Sequence, residues 1–303
     1  MTSSTEGNEA ASTGPPLSAG RLAEVACLLE VTARKPGNVH RYADLPGLRC
    51  VDFLLSATAI AEPLDRAAEI GIGRAVLEAI EATRRVVSTN TNLGIVLLLV
   101  PLAAVPKTAN LAAGVEKVLA ATTIDDARHV YRAIRLAQPG GLGQVDEQDV
   151  VGEPTATLRA VMKMAAERDL IAKQYSNGFH EVLGDALPGI SKALQENWPL
   201  ETAIIHCHLN VLAKHPDSLI LRKHGITRAH EVSRRAAEIV QGGWPESAAA
   251  VKELEAFDLW LRHPDNRLNP GTTADLVTAA LYAALREGTI ALPWRQAFES
   301  TLI

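Results

Sequence analysis

The amino-acid sequence predicts an all-α protein: one multi-helix globular domain behind a disordered N-terminal tail. Aromatic residues make up only 4% of the chain, while Ala, Leu, Val and Ile dominate an apolar fraction of 47%, a composition that favours close-packed helices over a strand-built sandwich. Apolar side chains recur three and four residues apart along most of the chain, and no stretch alternates at period two for long enough to make a strand. The 303 residues suffice for one large core or about two average domains. Neither a low-complexity linker nor a fixed-period repeat divides them, so residues 17–303 read as one domain.

Met1 to Pro16 is rich in Ser, Thr, Glu and Gly and lacks basic residues and an apolar run, so it reads as a disordered tail and not as a signal peptide. Leu22, Val25, Ala26, Leu29 and Ala33 then recur at helical spacing, with Leu28 and Val31 on the opposite side, which describes a helix buried nearly all round and ending before Pro36-Gly37. Helical patterns follow at Cys50–Ala61, Leu64–Val87, Asn92–Ala104, Asn110–Ala121 and Ile124–Leu136. Pro139 to Gly143 breaks the pattern, and the polar segment to Glu153 is a candidate functional loop. Further helices are expected at Pro154–Tyr175, Gly178–Leu187, Leu200–Ala213, His230–Val240, Glu246–Leu261, Thr273–Leu285 and Pro293–Ser300.

Bulk properties exclude several function classes. Thirty basic residues against 35 acidic ones give a net charge of −5, which offers no electrostatic case for nucleic acid or an anionic membrane as main partner. The most apolar stretch, Leu93 to Val105, is far shorter than the roughly 20 residues a membrane span needs and reads as a core helix. Three cysteines, Cys27, Cys50 and Cys207, lie far apart with no CxxC pair, so neither a zinc knuckle nor a disulfide framework is expected and a reducing cytoplasm is.

Four short segments pack polar and Gly/Pro residues against helix boundaries, where unpaired backbone N–H groups and fixed turns can bind anions or metals. The first, Thr32 to Arg41, sets Arg34, Lys35, His40 and Arg41 around a Pro-Gly turn that includes Gly37 and Asn38. It suits a polyphosphate, and it equally reads as a helix stop with basic residues near its C-terminus. Glu30, on the rim of the buried face, is a candidate metal ligand or a solvated carboxylate. The second, Ser88-Thr89-Asn90-Thr91-Asn92, is five hydroxyl and amide side chains in a row before the most apolar helix, more than one N-cap requires. It reads as a neutral wall for a sugar or phosphate, or as a generous cap.

The third segment, Gly140 to Val150, lacks the strand and helix context of a dinucleotide fingerprint. Its Asp146 and Asp149 stand three apart and would share a helix face, offering the hard oxygens that Mg²⁺ selects, although acidic exposed loops are common. In the fourth, Asn269-Pro270-Gly271 precedes Thr272 and Asp275, whose spacing is that of a capping box. Between these lies Asp217 to Gly225, where Arg222 and Lys223 beside a glycine could clamp phosphate or form a solvated turn. His206 and His208 are two apart and make no HExxH-type zinc site, and no G-x-S-x-G elbow occurs.

In this order, Lys35-Pro36-Gly37-Asn38-Val39-His40, Thr89-Asn90-Thr91-Asn92-Leu93-Gly94, Asp217 to Gly225 and Asn269-Pro270-Gly271 with Asp275-Leu276 resemble the triphosphoribosyl-dephospho-CoA synthase family. The resemblance runs from about Leu22 to Leu285, and ordered blocks are more specific than any one alone. It implies an all-helical transferase that cuts ATP at its N-glycosidic bond, releases adenine and joins the anomeric carbon to the ribose 2′-hydroxyl of dephospho-CoA, leaving the triphosphate intact. It further implies a carboxylate near an oxocarbenium-like centre, a base for the hydroxyl and cations for the phosphates. On this reading Glu30, Asp149 and Asp275 are catalytic candidates, and Glu30, Asp146 and Asp149 candidate Mg²⁺ ligands. Lys35, Gly37, Asn38, His40, Arg41, Asn90, Asn92, Arg222, Lys223, Asn269 and Gly271 are the candidates for substrate and phosphate binding.

One departure is notable. Relatives acting in citrate lyase maturation resemble Asn-Thr-His-Lys-Gly in the second block, whereas this chain has Asn90-Thr91-Asn92-Leu93-Gly94. A titratable imidazole and a fixed cation are replaced by a neutral amide and an apolar side chain. The chain therefore looks like a divergent branch, similar to relatives in organisms with methanopterin-type cofactors, whose acceptor is dephospho-CoA or a related molecule. The alternatives are a Mg²⁺-dependent N-glycosidic hydrolase, an enzyme of methanopterin-type cofactor biosynthesis and a non-catalytic nucleotide-binding helical protein.

Overall fold

The computed structural model describes residues 16–138, 152–294 and 297–299. Its regular elements are sixteen α-helices and one π-helical segment, with two isolated β-bridges and no strand among the described residues. The expected all-α class is therefore observed. No helix of the described residues is long and apolar enough to cross a membrane.

Helix α1 (Ala19–Thr32) starts where Ser18 accepts a hydrogen bond from the Arg21 N–H. It packs on α2 (Cys50–Ala59) and α3 (Ala61–Asp65), which are followed by α4 (Ala67–Ile70) and α5 (Ile72–Val86). The continuous helix expected over Leu64–Val87 is thus broken into three. Its break before α5 is at Gly71, whose φ of 88° belongs to a region that side chains avoid. Helix α6 (Leu93–Ala103) is buried on all sides except at Gly94, as its unbroken apolar sequence requires. Helices α7 (Leu111–Ala120) and α8 (Ile124–Ala137) follow, the latter with a full capping box between Thr123 and Asp126.

The helix expected at Pro154–Tyr175 is two, α9 (Leu158–Ala165) and α10 (Leu170–Asn177). Thr157 caps the first and Asp169 the second, so each side chain that satisfies an orphan N–H sets a boundary. The π-helical segment Glu181–Ala186 leads into α11 (Leu187–Gln195) and α12 (Leu200–Lys214). Beyond them stand α13 (Ser218–His224), α14 (Ile226–Gln241), α15 (Ala248–Arg262) and α16 (Gly271–Arg286). The described residues of Pro293–Ser300 are not helical. The carbonyls of Ala297 and Phe298 instead accept from the N–H groups of Leu200 and Glu201, at 3.1 and 2.9 Å, and so cap α12.

Two apolar cores result. The larger surrounds α6 and α16, whose residues are almost all buried, and is enclosed by α1, α5, α8 and α10 to α12. The smaller lies between α12, α14 and α15 around Phe257 and Trp244. Helix α12 contributes to both, through Ala203 and Ile204 to the first and Ile205 and Leu209 to the second.

Candidate active site

The end of α1 and the starts of α6, α13 and α16 meet, and this brings together the blocks that lie far apart in sequence. Asp146 and Asp149 lie outside the described residues. At the end of α1, Glu30 is 2% exposed and Lys35 wholly buried, with Lys35 Nζ 3.0 Å from Glu30 Oε1. The ammonium also donates to the carbonyls of Glu30 at 2.5 Å and Ala33 at 3.1 Å, capping the last turn of the helix. Burial pushes the Glu30 carboxyl up and the Lys35 ammonium down, and their attraction opposes both shifts. Lys35 is therefore a buried counter-ion and helix cap in this structure, with no surface to offer a phosphate.

The turn that follows is equally committed. Gly37 has a φ of 71°, and a Cβ there would come 2.7 Å from Leu261 Cδ1, so the backbone conformation and the close approach both require glycine. Its N–H donates to Asp258 Oδ1 at 2.6 Å, Asn38 donates to Asn269 Oδ1 at 2.9 Å, and Arg262 donates to the Asn38 carbonyl. His40 accepts from the Tyr42 N–H through Nδ1, and its pKa is lowered to about 3 by burial and then by Arg262, Lys35 and Arg34. Arg41 joins Arg34 on the fully buried carboxylate of Glu201 and lies 4.7 Å from the Tyr42 ring. These groups hold the turn against α12 and α15.

In the second block, Asn90 Oδ1 accepts from the Leu93 N–H at 3.1 Å, and Asn92 donates to Thr83 Oγ1 at 2.9 Å. Asn92 is 4% exposed, and its Oδ1 has no hydrogen-bond partner among the described residues. Leu93 is buried in the core. Gly94 faces Asp275 so closely that a Cβ would lie 2.0 Å from Asp275 Oδ2. The capping box expected between Thr272 and Asp275 is absent, because Pro270 is the cap position of α16 and makes no side-chain cap bond. The Thr273 N–H and hydroxyl bond instead to Asp217, at 2.7 and 2.8 Å. Gly271 lies beside Leu219 and Asn269.

Asp275 is partly exposed, and its carboxyl is pushed well above the usual carboxylate range, first by desolvation and then by the charges of Glu30, Asp217 and Asp169, against which Arg222 acts alone. Asp217 is fully enclosed and accepts four hydrogen bonds, from Leu219, Ile220 and both donors of Thr273. Asp169 caps α10 and binds Arg222, whose buried Nε is unpartnered among the described residues. Lys223 is exposed and takes no part in these bonds. The sequence-based reading leaves Asp169, Asp217 and Glu201 out of its candidate residues. Asp169 is of a residue type that caps helices but stands inside a helical pattern that hides the cap, and Glu201 carries no signal that a single sequence reveals. No group of three or more His, Cys, Asp or Glu side chains suited to hold a metal occurs among the described residues.

A helical scaffold that gathers a carboxyl of raised proton affinity, flanking carboxylates and an arginine beside the first turn of an apolar helix has the make-up of an all-α enzyme site. The family model described as CitG, ATP:dephospho-CoA triphosphoribosyl transferase, matches residues 16–292, and the chain belongs to that family of transferases. It is similar to a crystal structure from Archaeoglobus fulgidus described as a triphosphoribosyl-dephospho-CoA synthase, with 26% identity and a TM-score of 0.62 over 80% of this chain and all of that one. No curated protein matches it.

Proposed function

We propose that the chain transfers the 5-triphosphoribosyl group of ATP to dephospho-CoA or a related acceptor, with Asp275 as the base. The observation that carries the residue assignment is the raised carboxyl of Asp275, partly exposed at the meeting point of the blocks. The bond between the anomeric carbon of ATP and adenine breaks, a bond from that carbon to the acceptor hydroxyl oxygen forms, and the hydroxyl proton ends on adenine. A carboxylate whose proton affinity is raised is a stronger base for that hydroxyl, and its charge supports the oxocarbenium-like state. Arg222, whose Nε is left unpartnered by its bond to Asp169 among the described residues, and the amide of Asn90 meet the phosphates, while Asn92 holds the first turn of α6 against Thr83. Lys35, Gly37, Asn38, His40, Asn269 and Gly271 act by holding the turn and Glu30 in place.

Around Asp275 the carboxylates of Glu30, Asp217 and Asp169 outnumber the nearby cations Lys35 and Arg222. This excess of carboxylates is compatible with Mg²⁺ arriving on nucleotide phosphates, although of the expected ligands Glu30 is committed to Lys35, and Asp146 and Asp149 lie outside the described residues. When bound, the ion supplies neutralisation of phosphate charge. A related acceptor is the second reading, since Leu93 is buried and Asn92 is bonded to Thr83, so neither provides the charge expected there in citrate-lyase relatives. Purified protein with ATP, Mg²⁺ and dephospho-CoA should release free adenine. ADP as the sole product would contradict the proposal, and adenine release without any acceptor would favour the hydrolase.

A further inference from the structure

A cleft of about 550 Å³ opens beside the proposed centre, between the α9–α10 turn, α10, the end of α12 and α13. Its volume lies within the roughly 300–1,000 Å³ of small-molecule sites. Two contacts join it to the carboxylate cluster. Asp169, on its wall, holds Arg222, and Ser218, also on its wall, bonds Thr272 at the first turn of α16. Part of the wall is apolar, from Leu170, Pro216, Leu221 and the exposed Ile226.

Both lysines of the cleft are already paired with carboxylates. Lys173 pairs with Glu181 at 2.8 Å, and Lys214 and His215 share Asp185 at 2.6 and 3.1 Å. A triphosphate carrying about four negative charges needs uncompensated cations, and here only the exposed Arg168 lacks an ion-pair partner among the described residues. A neutral chain of methylenes and amides needs what the cleft has: apolar wall interspersed with polar groups. From these observations we infer that the cleft receives the pantetheine arm of a dephospho-CoA-type acceptor, while the nucleotide end of that acceptor lies toward Arg222 and Asp275. The inference rests on the transferase reading and adds the place where the acceptor is distinguished from a simple nucleotide.

Ser176, on the wall of the cleft, donates to the Lys173 carbonyl and to no other group among the described residues, so Ser176→Trp narrows the space without touching the carboxylate cluster. Steady-state adenine release should then show a KM for dephospho-CoA raised by about tenfold, with KM for ATP unchanged. Lys214→Ala, which keeps the wall and removes one polar contact, should raise the same KM less and serves if the tryptophan variant does not fold. Calorimetric titration with pantetheine, which lacks the reacting ribose, decides the matter independently of turnover. Binding to the wild type that is lost in Ser176→Trp supports the inference. Failure of the wild type to bind pantetheine, an unchanged KM for dephospho-CoA, or a raised KM for ATP alone would overturn it. If pantetheine binds while no acceptor elicits adenine release, the transferase reading fails and the cleft assignment stands.

Discussion

Lys35 and Asp275 illustrate how burial decides what a charged residue can do. Lys35 is wholly enclosed with Glu30 as its counter-ion, so Lys35→Ala leaves an uncompensated carboxylate in the core. The expected cost is about 3–5 kcal/mol in urea unfolding, far more than a lost surface contact; an unfolding midpoint equal to that of the wild type would contradict the buried pairing. Asp275 has the opposite character, since its proton is held more tightly in the folded protein than in the unfolded chain. Its contribution to stability is therefore lost as pH rises from the ordinary carboxylate range through its raised value. Near neutral pH, Asp275→Asn should be at least as stable as the wild type, and the difference should close in mild acid. Thermal melts across that range check the sign. The sequence pattern pointed to both residues for phosphate binding and catalysis, but it could not distinguish a buried counter-ion from a surface cation, because Glu30 and Lys35 look alike in either setting.

At the scale of elements, close approach explains two glycines that periodicity alone leaves unremarked. A Cβ on Gly94 would meet the carboxylate of Asp275, a movable group, so Gly94→Ala should keep the fold and displace the proposed base. A loss of about a hundredfold in kcat is expected, with an unchanged far-ultraviolet circular dichroism spectrum. Gly20 differs, because its Cβ would lie 1.9 Å from the backbone carbonyl oxygen of Ala61. Backbone cannot swing aside, so Gly20→Ala should force α1 from α3 and lower stability by about 1–3 kcal/mol in urea unfolding. Most helices were legible because burial imposes their spacing, as in α6 and α12. The breaks at Gly71 and Asp169 were not, since a glycine or aspartate inside an apolar pattern reads as tolerated until its φ or its cap bond is known. The described part of Pro293–Ser300 was misread because Trp294 and Phe298 pack against the larger core without helix, and the carbonyls of Ala297 and Phe298 cap α12.

Across the whole molecule, the mild negative charge concealed a local arrangement in which cations are spent inside. Arg34 and Arg41 meet on Glu201, Lys35 on Glu30, and Arg222 on Asp169. The order of the polar blocks along the chain was readable and carried the family resemblance, whereas their convergence depends on α16 crossing α1 and α6, a long-range contact invisible in any one segment. In the proposed function this convergence performs triphosphoribosyl transfer through Asp275. The direct measurement is adenine release coupled to mass spectrometry of the acceptor, run side by side on the wild type and Asp275→Asn with ATP, Mg²⁺ and dephospho-CoA. One adenine is expected for each acceptor that gains an intact triphosphoribosyl group, with a rate lowered by about 10²–10⁴-fold in the folded variant. Adenine release by Asp275→Asn at the wild-type rate would contradict it.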